Sequence, residues 1–588
     1  MSKPTCARFA SRLNWIHVAG LSGLYGLIVI LKLAWVTQAE SAFLFGDEYL
    51  YKSASQSLAR GEGYLVDQAF FVGYPPLYPL LLSPSFLLGG DWYAWMLRLN
   101  TLVSSLAIFP VWLIARQLLP VRESWLCTFV AAVLPYHVVF PRIIMSENLF
   151  LPLFLFTCYI LITNADRGIW RPLAFGSALG LCWLTRHIFS VIAPLMLILW
   201  WLRPWFIGQS NFRQLLNRQR FISMGLPVLG LGLTYGIWLA YAYWHSIPLS
   251  GAMGVGLSNA HLPGLDQSNL WSALWPWVKF HLATVALMCA PYLGAIFSIP
   301  MCFQKQRANE RPALYLIILV FSTTAIFSIT ATVFFWRFFG NRWPEGYLSE
   351  RYFMYAVPLL PVVGCLTLQR WETLGLKPRL ELGIVTTGLA LLSLGAAFFT
   401  TIDRSQTPSP PFYVVHQAIY SIAFTATYPS PGIFLLICLA VIIFYMFFAI
   451  RWPRYAPLVM SVGLIIFYSL NDLIAARDMT WAQTPARHGK VIAQLIRSQS
   501  TIADPGNTTI FLDSTLPVNP STLTAILKFW DVSPMPIVVS RAPDLTDPQA
   551  RSLWVTDQYF PNSILAYQVS NRTYYVYQLP LARQSNPP

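Results

Sequence analysis

IHVAGLSGLYGLIVILKLAWV, residues 16–36, is an apolar run interrupted by His17 near its start, the small Ser22 and Lys32 near its end. A helix needs about 20 predominantly apolar residues to cross a hydrocarbon core of about 30 Å. The run is continuous rather than alternating, so it suits a spanning helix and not a half-buried strand. Lys3, Arg8 and Arg12 precede it, as in a secretory leader, but the stretch Leu13–Val36 is too long for one and no small-residue cleavage site follows it. The reading is a first membrane span, with Lys32 snorkelling outward.

Runs of this kind recur along most of the 588 residues, of which 56% are apolar and 11% charged, with mean hydropathy +0.53. Soluble domains carry about 25% charged residues, so this chain cannot cover a water-facing surface. Only helices or closed barrels satisfy their backbone in lipid, and continuous runs select helices. About thirteen spans are expected: roughly Ile16–Val36, Leu99–Leu119, Trp125–Phe140, Asn148–Ile162, Pro172–Thr185, Phe189–Leu202, Phe221–Tyr243, Leu282–Cys302, Ala313–Trp336, Tyr352–Leu368, Leu382–Thr400, Ile433–Ile450 and Ala456–Leu470. The fold class is therefore an all-α polytopic membrane protein. The net charge of +15 does not point to nucleic acid, because Lys and Arg lie in short loops between spans rather than along one stripe. The eight cysteines all fall at or before Cys438 and form no zinc-type cluster.

Orientation follows from the loops. With the N-terminus cytoplasmic, the basic sets Arg116/Arg122, Arg167/Arg171, Arg203/Arg213/Arg218/Arg220, Lys305/Arg307/Arg311, Arg370/Lys377/Arg379 and Arg451/Arg454 all fall inside, as the positive-inside bias requires. The transmembrane module then occupies 1–470, and the tail 471–588 lies outside as a small α/β domain. There Gly489–Gln499 has helical periodicity, while Thr508–Leu512, Ile537–Val539 and Tyr574–Leu579 read as strands. The tail carries no catalytic signature and reads as a lid or docking domain. Two outer loops are long, 37–98 and 245–281. In the first, Asp47–Arg60 reads as a surface helix with Leu50, Ala54 and Leu58 on one face and Gly61 as its stop. The second contains WSALWPWVKFH (271–281), whose tryptophans suit an interfacial belt.

Charge at a membrane boundary is costly unless paired or functional. Four separate segments bring it to the outer face: Asp47–Glu48, then Arg142 and Glu147 around PRIIMSENLF, then Arg186–His187, then Glu350–Arg351. Such a set suits sugar transfer from a lipid phosphate. One carboxylate takes the acceptor's proton, and guanidinium forks stabilise charge growing on the departing phosphate. In-line attack would invert the anomeric carbon. Neighbouring residues on a helix diverge by about 100°, so Asp47 is assigned the base role and Glu48 a hydrogen-bonding or metal-holding one. Glu147 completes the acids, Arg142, Arg186 and Arg351 the cations, and Mg or Mn could rest on Asp47, Glu48 and Glu147. Plainer readings stand beside these: Asp47–Glu48 as first-turn acids, Glu147 as an N-terminal acid with Ser146 as cap, Arg186 as a snorkelling anchor, and Glu350–Arg351 as an interfacial pair.

GDEYLYKSASQSLARGEGYL (46–65) and YPPLYPLLLSPSFLLGG (74–90), followed by SENLFLPLF (146–154), GLCWLTRH (180–187) and ERYFMYAVPLLP (350–361), resemble the signature segments of GT-C membrane glycosyltransferases. The likeness is greatest to the family 39-like branch that includes protein O-mannosyltransferases and the aminoarabinose transferase of lipid A. It covers roughly Ile16–Pro361. It implies an enzyme using a polyprenyl-phosphate sugar on the outer side of the cytoplasmic membrane, with a glycan, lipid or protein acceptor. Asp47 matches the family's proposed base, Glu48 its second acid and Glu147 its second-loop acid. Arg186, where many members carry Lys, and Arg351 match its phosphate-facing cations. The extra repeats of eukaryotic O-mannosyltransferases are missing here. A transporter or flippase, or a silent scaffold of the same fold, is the competing expectation.

Overall fold

The computed structural model describes chiefly residues 15–206, 218–253, 311–339, 355–388 and 444–469, with short gaps, and separate segments between 490 and 579. Helix α1 is Trp15–Val36, the run quoted above. Its Leu27, Ile30 and Leu31 are more than half exposed, an arrangement water would penalise and lipid favours. Five described helical stretches are long and apolar enough to cross a membrane: Trp15–Val36, Trp92–Leu118, Phe189–Phe206, Met224–Trp244 and Pro312–Val333. Shorter apolar helices include Glu147–Ile162, Val357–Gln369 and Ala456–Ile466. The expected span Leu282–Cys302 lies outside the described residues, as do most of Leu382–Thr400 and Ile433–Ile450.

In the long loop after α1, α2 (Gly46–Ala59) comes first, then the two-stranded ribbon β1 (Leu65–Val66) and β2 (Ala69–Phe70) and the short α3 (Leu77–Leu82). Gly61 ends α2 at φ +74°, with Gly61 N bonded to Leu58 O and Glu62 N to Ser57 O. This is the paired bonding of a glycine-terminated helix. Leu50, Ala54 and Leu58 share a face as expected, but that face packs on protein, against a cluster holding Tyr64, Leu184, Tyr235 and Trp238. Round the helix from that face, Glu48, Tyr51, Lys52 and Ser55 are also buried, so protein covers more than one side of α2.

Next come α4 (Trp92–Ser105), α5 (Ile108–Leu118) and α6 (Val121–Ala132). The expected span Trp125–Phe140 is not one helix. Helix α6 ends at Ala132, a separate turn α7 occupies Pro135–Val139, and a 3-10 turn follows at Phe140–Arg142. Pro135 disfavours helical backbone at Leu134, and the 12 residues of α6 reach only about 18 Å. Helix α8 (Glu147–Ile162) stands at the centre, touching α4, α5, α9 (Trp170–Thr185), α10 (Phe189–Phe206) and the later α13. Helix α11 is Arg218–Trp244, α12 is Leu249–Ala252, α13 is Arg311–Phe339 and α14 is Leu360–Thr373.

Helices α9 and α11 meet through small residues. A Cβ added to Gly176 would lie 1.9 Å from Pro227 O, and one added to Gly230 would lie 2.4 Å from Leu173 O. Gly176 and Gly180 stand four residues apart, the spacing that lets membrane helices approach closely. Gly176→Val is therefore expected to abolish monodisperse protein in detergent gel filtration. Gly23→Ala, whose Cβ meets open space, is expected to leave the elution profile unchanged.

In the tail, strands β3 (Thr509–Asp513), β4 (Ile537–Ser540), β5 (Ser552–Thr556), β6 (Leu565–Val569) and β7 (Arg572–Leu579) form one sheet in the order β4-β3-β5-β7-β6. β3 pairs in parallel with β4 and β5, and β7 is antiparallel to β5 and β6. Ile492, Ala493, Ile496, Leu527, Phe529 and Trp530 join the same buried cluster as the bundle.

Candidate functional site

The loop from Phe140 to Ser146 is buried throughout, so its backbone groups need partners inside the protein. Three side chains from different segments supply them. Glu48 Oε1 accepts from Ile144 N at 2.9 Å, Asn100 Nδ2 donates to Ile143 O at 3.0 Å, and Asn148 Nδ2 donates to the carbonyls of Phe140, Ile143 and Met145 at 3.0 Å. Tyr78, through its hydroxyl, donates to Asn100 Oδ1 at 2.8 Å. Glu48 thus fastens this loop to α2, and the loop in turn sets Ser146 and Glu147 at the head of α8.

Consecutive antiparallel helices bring the start of α8 beside the end of α9, where Arg186 continues the chain in extended backbone. Arg186 Nη1 forms an ion pair with Glu147 Oε1 and donates to Ser146 Oγ at 3.3 Å. The Arg186 side chain is 10% exposed and that of Glu147 0%, so the snorkelling reading of Arg186 is replaced by a buried pair. Ser146 stands at the cap position of α8 but makes no side-chain cap bond. Its oxygen instead accepts from Tyr51 OH at 2.9 Å.

Tyr51 is the hub. Its ring lies 5.0 Å from Tyr74 and 4.9 Å, edge-on, from Tyr78, and Tyr74 OH donates to Asp47 Oδ1 at 2.7 Å. Burial pushes the Tyr51 hydroxyl far above its ordinary value; Arg186 pulls it down, while Asp47 and Glu147 raise it. All three charged groups therefore act on one phenol, although they come from α2, α8 and the end of α9. Because folding raises the Tyr51 hydroxyl above the ordinary phenol value of 10.0, the stabilisation Tyr51 contributes is complete below pH 10 and is lost as pH rises toward the folded value. Tyr51→Phe is expected to cost about 1 kcal/mol near neutrality and to flatten the loss of thermal stability above pH 10. Equal alkaline slopes in both proteins would remove Tyr51 from this role.

The other predicted residues fall elsewhere. Arg142 is wholly buried, donates from Nη2 to Gln38 O at 3.4 Å and stacks 5.4 Å from the Trp35 ring. It shares with Glu48 the surroundings of the Tyr93 hydroxyl. Arg351 and Glu350 lie outside the described residues. Nearby in sequence, Tyr355 sits with its ring 6.0 Å from the Arg186 guanidinium and 4.5 Å from Phe150. Lys32 does not snorkel: it is 3% exposed, with Nζ 2.9 Å from His137 Nδ1. Among the described residues no three acids, histidines or cysteines gather as a metal cage. Asp47, Glu48 and Glu147 are engaged by Tyr74 OH, Ile144 N and Arg186 Nη1 respectively. Tyr51, Tyr74, Asn100 and Asn148 were not singled out from the sequence, and Ser146 only as a helix cap; the asparagines, polar groups within apolar runs, carried the one available signal.

The described helices form a polytopic bundle with a carboxylate–arginine pair beside the loop that follows α1, and its fold is that of the GT-C membrane proteins. Among these, the chain is similar to the crystal structure of ArnT from Cupriavidus metallidurans bound to undecaprenyl phosphate. The TM-score is 0.50 at 15% identity, covering 97% of this chain and 99% of that one. For the apo state of the same protein the TM-score is 0.51 at 15% identity, covering 97% and 100%. At that identity the likeness establishes the fold expected from the motifs. The Archaeoglobus fulgidus oligosaccharyltransferase tethered with an acceptor peptide, at TM-score 0.38 and 11% identity over 90% of this chain and 64% of that one, is too slight a match to define it. No protein-family model and no curated protein sequence matches the chain.

Proposed function

We propose that the chain is an integral membrane glycosyltransferase that moves a sugar from a polyprenyl-phosphate donor to an acceptor hydroxyl at the outer face of the cytoplasmic membrane. The observation that carries this is the convergence on Tyr51 of a carboxylate, an acid–guanidinium pair and two further hydroxyls from three distant segments. The fold is shared with a protein solved with undecaprenyl phosphate bound, which supports a lipid-phosphate donor.

In this reading the acceptor oxygen attacks the anomeric carbon as the bond to the phosphate oxygen breaks. The acceptor's proton passes to Asp47, and the polyprenyl phosphate leaves with one more negative charge than it had in the donor. Tyr74 holds Asp47 in place through its hydroxyl. Arg186, oriented by Glu147 and Ser146, meets the growing charge on the leaving phosphate, with Arg351 as a second cation. In-line displacement inverts the sugar. Glu48 and Arg142 act as positioning residues, holding the loop that presents Glu147. Membranes from cells lacking the protein are expected to accumulate one polyprenyl-phosphate sugar and to lose one sugar from a surface glycan, lipid or protein. Mass spectra of both fractions that match those of cells containing the protein would overturn the proposal.

A transporter reading draws on a separate observation, the buried Lys32–His137 contact within the bundle, since ionisable groups inside membranes often serve transport. Lipid translocation in reconstituted vesicles that needs Lys32 and not Asp47 would favour it.

A further inference from the structure

Where the tail meets the first outer loop, Asp91, Trp92, Lys490, Gln494 and Trp530 line a cavity of about 170 Å³. We propose that this cavity is a subsite for a single sugar ring of a glycan, distinct from the Asp47 centre. The proposal that this sugar belongs to the acceptor rests on the glycosyltransferase reading.

Its walls are aromatic. The Trp92 and Trp530 rings lie 5.4 Å apart at 45°, with Phe86 stacked behind Trp92 at 5.3 Å and Tyr93 5.6 Å from Trp530. Flat indole faces present apolar area matched to the C–H face of a pyranose, and the indole N–H remains a donor. Trp530 is 7% exposed, so its ring is held as a fixed wall of the cavity. The polar lining adds complementary groups. Asp91 Oδ1 caps α4 through Tyr93 N and Ala94 N, and the same carboxylate has a second oxygen able to accept. Gln494 can donate and accept, and Lys490 donates from its place 4.5 Å above the Trp530 ring.

Charge and size narrow the ligand. One carboxylate and one ammonium make the lining neutral as a whole, which favours a polyhydroxylated group over a phosphate headgroup. The volume falls below the roughly 300 Å³ at which drug-sized pockets begin, so it suits one ring. The location joins it to the proposed chemistry. Lys52, on α2 with Asp47, stacks 5.3 Å from Trp92, and Lys528 reaches Asp67 at 3.6 Å and the Tyr49 ring at 5.9 Å. The tail is therefore seated on the same loop that carries the base, and a glycan held between them would have its next units over that loop.

The test is saturation-transfer NMR on the full-length protein in nanodiscs, with the methyl glycosides of glucose, galactose, mannose and N-acetylglucosamine as probes. At least one glycoside is expected to show transfer to its ring C–H protons. That signal should fall at least fivefold in Trp92→Ala and in Gln494→Ala, the latter a surface change that leaves the packing intact. It should persist in Asp47→Asn and in the presence of undecaprenyl phosphate. The subsite is overturned if no glycoside responds, if the signal survives both Trp92→Ala and Gln494→Ala, or if undecaprenyl phosphate displaces it and so places the sugar at the donor centre. Glycoside binding with these properties in a protein that transfers no sugar would retain the subsite and remove only the transferase reading.

Discussion

Asp47→Asn is expected to lower sugar transfer by about 10²–10⁴-fold, the range a positioned general base supplies, with donor-lipid binding little changed. The substitution is nearly isosteric. An asparagine carbonyl still accepts from Tyr74, whose hydroxyl donates to Asp47 Oδ1 at 2.7 Å, so the loop geometry survives while the basic oxygen is lost. Glu48→Gln is the informative neighbour. Glu48 is buried and accepts from Ile144 N, and a glutamine carbonyl can accept that bond too, so a loss of less than about tenfold is expected from a group that positions and does not move a proton. Single-turnover transfer from a radiolabelled polyprenyl-phosphate sugar separates the two. Wild-type turnover in Asp47→Asn would leave the reaction without its base, and equal losses in both variants would assign the adjacent acids one shared task.

The fold was legible where a periodic pattern and its stop signals agreed. The α1 run, the helix after it and its termination at Gly61 follow from hydropathy and from glycine's tolerance of positive φ. Hydropathy misread Trp125–Phe140, because a window average is blind to the proline that divides α6 from α7. For the site, charge is visible in a sequence and partnership is not. The Glu147–Arg186 pair was within reach of argument, since successive antiparallel helices put the head of one beside the foot of the next. Nothing local to Asp47 says that it shares a phenol with that pair. Tyr51 and Tyr74 read as interfacial tyrosines of the kind found in any membrane protein, and only the packing of α2 beneath the 140–146 loop turns them into connectors. Lys32 shows the converse error: a cation near a span end was assumed to reach outward, and the approach of His137 from a segment 105 residues away holds it inside.

Arg186→Met is expected to be the most damaging single change at the site, for two separable reasons. It removes the cation proposed to meet the leaving phosphate, and it leaves Glu147, whose side chain is 0% exposed, without its ion-pair partner. Breaking a buried pair from one side costs about 3–5 kcal/mol, whereas replacing both members with neutral groups is often close to neutral. The double variant Arg186→Met/Glu147→Gln should therefore regain most of the stability lost by Arg186→Met, and this non-additivity measures the pair directly. It should not regain sugar transfer, because no guanidinium faces the phosphate. Arg186→Lys keeps the charge but loses the planar fork that reaches Glu147 and Ser146 together, so it should fold and retain part of the rate. Thermal unfolding in detergent, read beside single-turnover transfer, distinguishes these outcomes. If the double variant transfers sugar as the wild type does, Arg186 serves the fold alone, and the phosphate must be met by other cations, Arg351 first among them.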